Sequence, residues 1–305
     1  MRITLNWVDE GVAVDNYVVY RSLTPIAIDN LPAPLAILSG NQKTYTDTQV
    51  NKNTLYCYRV SGKKGGEEAV STQYKVSCVP YTGPGPDKII IGDWEAGLFG
   101  TVNLEELIDP TLLAARVMAD VVTTQRNLAT VWWKMAYQGR VVFFPDVSLL
   151  TGISWEGLYA RGLVYGATPT EEIPAAVKSK YGVVAQDIPF VIGERSYLVR
   201  LAASRPDLAN LGTTLSDQIG GEYDKVYASM YQKRIQDSLS TLPMFSDCSV
   251  SDSVGCFSRD IVDDLANKII TRRTSGAPLY GDVMDVSVTI ASTLHAWKPV
   301  LELVY

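Results

Sequence analysis

The chain contains a single histidine, His295. A nucleophilic triad built on an imidazole would have to use it, and a metal centre needing two histidine ligands is excluded. It precedes Ala296-Trp297 near the C-terminus, where a structural or surface role is expected. Carboxylates are abundant, 33 in all, with close pairs at Asp93 and Glu95, Glu105 and Glu106, Glu171 and Glu172, and Asp263 and Asp264. A glycosidase needs two carboxyls about 5–10 Å apart across a cleft. So many acids can always be paired on paper, and solvated surface acids are expected. Asp247, Asp252 and Asp260 flank a serine-rich stretch and could hold Ca²⁺, but they lack the D-x-[DN]-x-[DN]-G order. Phosphate-binding loops, a convincing dinucleotide fingerprint, H-E-x-x-H, G-x-S-x-G and C-x-x-C are absent from the sequence. No catalytic, cofactor or metal site is therefore expected, and no cofactor.

Two aromatic groups could bind a ligand. Trp132-Trp133, Tyr137 and Phe143-Phe144 could form a sugar platform, but alternation within a hairpin sends one face of it into a core, and packing is expected. Tyr223, Tyr227 and Tyr231 recur at helical spacing and are expected to be a packed helix face.

The elements that position these residues begin with composition. The chain has 305 residues, 47% hydrophobic and 20% charged, which excludes disordered and collagen-like chains and suits two domains. No run approaches the roughly 20 apolar residues of a membrane span. Met1 to Glu10 has no apolar core of signal-peptide length, so a soluble protein made without a cleaved signal is expected. The net charge is -6, with 8 basic and 7 acidic residues in 1–84 and 19 and 26 in the rest. Neither part is a basic footprint, so neither a nucleic-acid partner nor membrane insertion is expected.

Residues 1–80 read as short strands and turns. Ile3, Leu5 and Trp7 alternate with Thr4, Asn6 and Val8. Tyr17 to Ser22, Tyr45 to Thr48 and Thr54 to Ser61 are further strands, separated from a strand at Ser71 to Val79 by a glycine-rich turn. The stretch around Pro25, Pro32 and Pro34 reads as a loop. The order "ITLNWV…YVVYRS…YTDTQV…TLYCYRVSGKKGGEEAVS" resembles a fibronectin type III domain. The resemblance implies that Trp7 is the core indole and Tyr56 the tyrosine-corner residue. It also implies that the first strand of that sandwich is missing. That would leave an edge at Arg2, Thr4 and Asn6 as a candidate interface. Cys57 and Cys78 fall on strands that resemble its last two. With Cys248 and Cys256 they make two local pairs that permit disulfides, although three connectivities and free thiols stay open.

Pro80 to Pro86, dense in proline and glycine, reads as a semi-rigid linker at 81–87. Beyond it, 88–305 reads as a larger α+β domain. Lys88 to Trp94, Leu128 to Met135, Arg140 to Val147, Phe190 to Ile192, Tyr197 to Leu201, Val286 to Ile290 and Trp297 to Val304 read as strands. Helices are expected from the N-caps Asp109 and Ser154, from Glu222 onward, and over Asp260 to Lys268. "WWKMAYQGRVVFFPDV", "GISWEGLYARGLVYG", "IGERSYLVRLA", "GEYDKVY" and "WKPVLELV" resemble, in this order, a module of tailed-phage virion proteins. Trp133, Gly139, Trp155, Gly166, Tyr197, Arg200 and Trp297 to Leu303 carry the resemblance. The closing "WKPVL" is also similar to the last strand of C-type-lectin-like folds.

The expected fold is thus mainly β, a fibronectin III-like sandwich at 1–80 followed by the mixed domain, with Trp7, Tyr56, Trp155 and Trp297 in the cores. The resemblances imply a non-enzymatic structural protein of the virion (tail, neck, collar or baseplate), assembled in the host cytoplasm. Its partners would be other virion proteins and further copies of itself in a symmetric assembly. A host-surface glycan or receptor binder is the alternative, and a cell-wall hydrolase a third.

Overall fold

The computed structural model describes residues 1–8, 11, 13–117, 124–125, 129, 131–168, 173–205, 220–226, 255–261, 268–273, 282–289 and 295–305. It is mainly β, with several sheets. Contacts divide the chain into two units, one of 1–82 with 93–95 and 138–140, the other of the remaining residues.

The first unit is built from seven strands. β1 (Ile3–Asn6) has the burial alternation expected of a half-buried strand. β2 (Asn16–Ser22), β3 (Ala36–Ser39), β4 (Thr44–Asp47), β5 (Leu55–Lys64), β6 (Glu67–Val70) and β7 (Tyr74–Ser77) follow. β1 and β4 form a two-stranded antiparallel sheet, and β3-β2-β5 form a second sheet with β6 and β7 both on β5. Period-two alternation gives the larger sheet two apolar faces. Tyr17, Val19, Tyr56, Tyr58 and Val60 pack with Ile3 and Leu5 in one cluster. Val18, Tyr20 and Cys57 on the reverse face pack with Ile26 from the loop after β2. Arg59 Nε donates to the Ile26 carbonyl at 2.8 Å and fixes that loop.

Several sequence expectations need correction here. The stretch read as a loop contains β3, because Ala36 to Ser39 pair with β2. The strand expected at Ser71 to Val79 is only β7, and a separate strand, β6, precedes it in and just after the stretch read as a turn. β5 is long enough to carry β6 opposite 61–64 and β7 opposite 55–58, and Ser71 Oγ accepts the Val60 N–H where the ladder breaks. Cys57 and Cys78 are not paired; both are free and buried. Leu55 lies opposite Ser77, so Cys78 falls three residues of register from Cys57, about 10 Å along the strand. The two side chains also belong to opposite faces, which no disulfide spans.

Trp7 is only partly buried at the rim of the first cluster, edge-on to Tyr17 at 5.4 Å. Tyr56 is buried, and its hydroxyl accepts the Asn51 N–H at 2.9 Å. Asp47, 1% exposed, accepts from Tyr58 Oη and Arg21 at 2.8 Å each and from the Gln49 N–H at 2.9 Å. Burial, then the bond to Asp47, holds the Tyr58 hydroxyl protonated well above the usual phenol range.

In the second unit, β8 (Ile91–Gly92), β9 (Ala96–Asn103), β10 (Thr124–Gln125), β11 (Val131–Tyr137), β12 (Arg140–Pro145) and β13 (Leu150–Thr151) come first. Then follow β14 (Pro189–Ile192), β15 (Arg195–Arg200), β16 (Gly255–Ile261), β17 (Lys268–Arg273), β18 (Asp282–Ser287), β19 (His295–Trp297) and β20 (Val300–Val304). One sheet runs β14-β15-β20-β12-β11-β9-β8, the other β10-β13-β19-β16-β17-β18. β9 was not foreseen, and of the helix expected at 260–268, Asp260 and Ile261 end β16 and Lys268 starts β17, which pair antiparallel, while 262–267 lie outside the described residues. α1 (Pro110–Val117) starts where Asp109 accepts the Thr111 N–H, and α2 (Trp155–Tyr159) where Ser154 accepts the Gly157 N–H. α3 (Ala175–Tyr181) had no clear signal in the sequence. The Trp155 indole donates to the Ser258 carbonyl at 2.9 Å, tying α2 to β16, and Trp297 is fully buried.

Tyr56→Phe should cost the first unit about 1 kcal/mol, the usual net worth of one hydrogen bond. Trp7→Ala should cost less than the ~3–5 kcal/mol of a fully buried tryptophan. Denaturant unfolding of the two variants checks both the bond and the partial burial.

Candidate functional site

The densest polar cluster among the described residues is buried in the second unit. Arg200 ends β15 and shares a sheet face with Glu302 of β20, one step along the ladder. Its Nε donates to Glu302 Oε2 at 2.8 Å. Its two terminal nitrogens grip Glu222, in the helical turn 222–226, at 2.6 and 2.7 Å. All three side chains are less than 10% exposed. Glu222 also accepts the Ala203 N–H at 3.2 Å. Burial by itself lowers the arginine's pKa, but Glu222 and Glu302 outweigh it and hold it above the ordinary range.

Two glycines shape the cavity for these groups. Gly166, at φ 70°, would bring a Cβ within 2.6 Å of Arg200 Cδ, and a Cβ on Gly221 would meet the Arg205 carbonyl at 2.4 Å. The network continues through Asp224, which accepts from Arg272 and from the Gly220 N–H. Burial pushes the Asp224 carboxyl up, against the pull of Arg272. Asp260 accepts from the Arg205 N–H at 3.0 Å and from Ser258 Oγ at 2.9 Å. Each carboxylate is therefore engaged by fixed donors, which suits a structural lock. No group of three or more His, Cys, Asp or Glu able to hold a metal occurs among the described residues.

A second buried charge holds the segment after the first unit. Lys134 of β11 is 0% exposed, with Nζ 2.6 Å from the Pro86 carbonyl, 3.9 Å from Asp87 Oδ1 and 5.1 Å from the Phe99 ring centre. Gly83 and Gly85 fit this sheet closely, since a Cβ would meet Phe143 at 3.2 Å and Val102 at 2.4 Å respectively. Residues 83–86, read from composition as a spacer, are thus packed into the second unit. Burial lowers the Lys134 ammonium to a pKa of about 8.

The residues singled out from sequence are dispersed. His295 is half-buried, stacked on Phe257 at 5.7 Å, and burial lowers its pKa. Trp132, Trp133, Tyr137, Phe143 and Phe144 are all buried. Glu95 pairs with Lys75 within the first unit, and Glu106 Oε2 caps the Asn103 N–H at 3.1 Å. Cys256 is disulfide-bonded. Cys248, Asp247, Asp252, Glu171, Glu172, Asp263, Asp264, Tyr227 and Tyr231 lie outside the described residues. Thr4 and Asn6 are exposed on β1, and Arg2 is exposed just before it. Sequence reasoning singled out Arg200 and the closing Trp297 to Leu303 only through the phage resemblance, and it missed Glu222, Asp224, Arg272 and Lys134 as ion-network members. Nothing local marks a charge as buried.

Compared with models of known protein families and with curated proteins, the chain matches none.

Removing one partner strands a buried charge. Glu222→Gln should destabilise the second unit by about 3–5 kcal/mol, while an apolar replacement of Arg200, Glu222 and Glu302 together should cost far less than the three single changes summed. Chemical denaturation of Glu222→Gln, the three single apolar variants and the triple variant measures this. Lys134 has a folded pKa below the 10.5 of an exposed lysine. The unfolded chain therefore binds more protons between those values, and the lysine's contribution to stability rises as pH climbs from about 8 toward 10.5. Lys134→Met should flatten that rise in unfolding midpoints across the same window.

Proposed function

We propose that this chain is a non-enzymatic structural component of a tailed-phage virion, working through protein–protein contacts in the tail, neck, collar or baseplate. The observation that carries the reading is where the phage-like sequence pieces fall. Trp133, Trp155, Tyr197 and Trp297 are core residues, Gly139 and Gly166 take positive φ, and Arg200 and Glu302 are bonded to each other. The resemblance therefore rests on residues that build a rigid body. For the first unit we favour a fibronectin III-like sandwich, supported by the pairing of β1 with β4 opposite the larger sheet and by the Tyr56 to Asn51 bond. Burial of Trp132, Trp133, Tyr137, Phe143 and Phe144 removes the aromatic platform that the sequence offered the glycan-binding alternative.

Mass spectrometry of density-purified particles from a lysate in which the chain is expressed tests the reading. The chain should co-purify with particles at a fixed, multiple copy number. Finding it only in the unassembled fraction would overturn the proposal, and strong binding by the isolated chain on a glycan array would favour the receptor reading instead.

A further inference from the structure

β1 has a strand partner on one side only among the described residues, in a sheet of two strands. The Trp7 N–H donates to the Lys43 carbonyl at 3.2 Å, and β1 pairs with β4 in the same register, Leu5 opposite Tyr45 and Ile3 opposite Asp47. In an antiparallel ladder hydrogen-bonded pairs alternate. Ile3, Leu5 and Trp7 therefore turn their main-chain groups toward β4, and Arg2, Thr4 and Asn6 turn theirs outward. The Thr4 and Asn6 side chains are exposed, while Ile3 and Leu5 enter the core.

Sheet edges are normally blunted by proline, charge or a bulge. Ile3–Asn6 has none of these, and the charge just before it, Arg2, is a single one. On the other sheet, β6 carries Glu67 and Glu68 and β7 carries Lys75. β3 is also uncharged, but it extends the sheet that is already the wider. At the end of β1, Trp7 is only partly covered and its indole N–H has no partner.

We infer that β1 is the seat of a two-fold contact between two copies of this chain, through antiparallel pairing centred on Thr4. The occupant follows from the strand's self-complementarity. About that centre, Thr4 meets Thr4 of the second copy and Arg2 meets Asn6, so every outward main-chain group faces an outward one. Ile3 falls opposite Leu5 on the core side, and no like charges meet. Three such pairs give about six main-chain hydrogen bonds and join two short sheets into one of four strands. This register uses β1 and the one residue before it, Arg2. The inference deepens the assembly reading above and rests on it for its biological setting.

The test uses the full chain. At a hydrogen-bonded pair the Cα atoms are about 5.5 Å apart, within disulfide reach. Thr4→Cys should form covalent dimers on mild oxidation. Asn6→Cys should not, because the two equivalent positions lie about 13 Å apart in this register. Thr4→Pro removes an outward donor and leaves the ladder to β4 intact, so it should weaken the dimer seen by sedimentation roughly tenfold or more, with circular dichroism unchanged. If Thr4→Pro fails to fold, the cysteine pair decides. The proposal is overturned if the wild-type chain stays monomeric at all concentrations, if Asn6→Cys cross-links as readily as Thr4→Cys, or if Ile37→Pro on β3 dissolves the dimer and Thr4→Pro does not. A chain that cross-links through Thr4→Cys yet never enters particles would sink the virion reading and leave this interface standing.

Discussion

A guanidinium with no access to water must keep its counter-charges, and the second unit is arranged around that requirement. Arg200, Glu222 and Glu302 come from places up to 102 residues apart. Their meeting joins the end of β15, the helical turn at 222 and the closing strand β20. Moving such ions out of water costs several kcal/mol each, and the cost is offset only when geometry and hydrogen bonding are complete. The bidentate grip on Glu222, the single bond to Glu302 and the Ala203 N–H meet that condition. The surrounding backbone is then constrained, since side chains at 166 and 221 would collide with the arginine stem or with neighbouring carbonyls.

The same rule operates elsewhere on a smaller scale. Asp47 is the ionic centre of the first unit, satisfied by one arginine, one tyrosine and one backbone amide. Lys134 binds main-chain carbonyls of 83–86 more than it binds an acid, so its charge is less well offset and its pKa falls. Three buried charges thus have three different degrees of compensation. Ionic contacts that must all be satisfied at once favour one arrangement of the elements that carry them over near alternatives.

The exposed strand β1 is the opposite case. Its side chains satisfy the core below, while half of its main-chain groups are directed outward. Such an edge can supply directional contacts without loosening the interior.

Alternation and capping were legible in the sequence. Ile3, Leu5 and Tyr17 to Ser22 gave strands because β-branched and aromatic residues at period two fit a half-buried sheet. Asp109 and Ser154 gave helix starts because their side chains serve local amides. Tertiary structure decided the rest. Asp260, Ile261 and Lys268, read as parts of one helix, lie instead on two paired strands, because long-range ladders outweigh weak local propensity. Cys57 and Cys78 are near in sequence terms, but register and facing keep them apart. Most of the charges that matter most were invisible in sequence. Glu222 and Lys134 have the same letters as surface residues, and only the fold determines which charges lose water and must find partners.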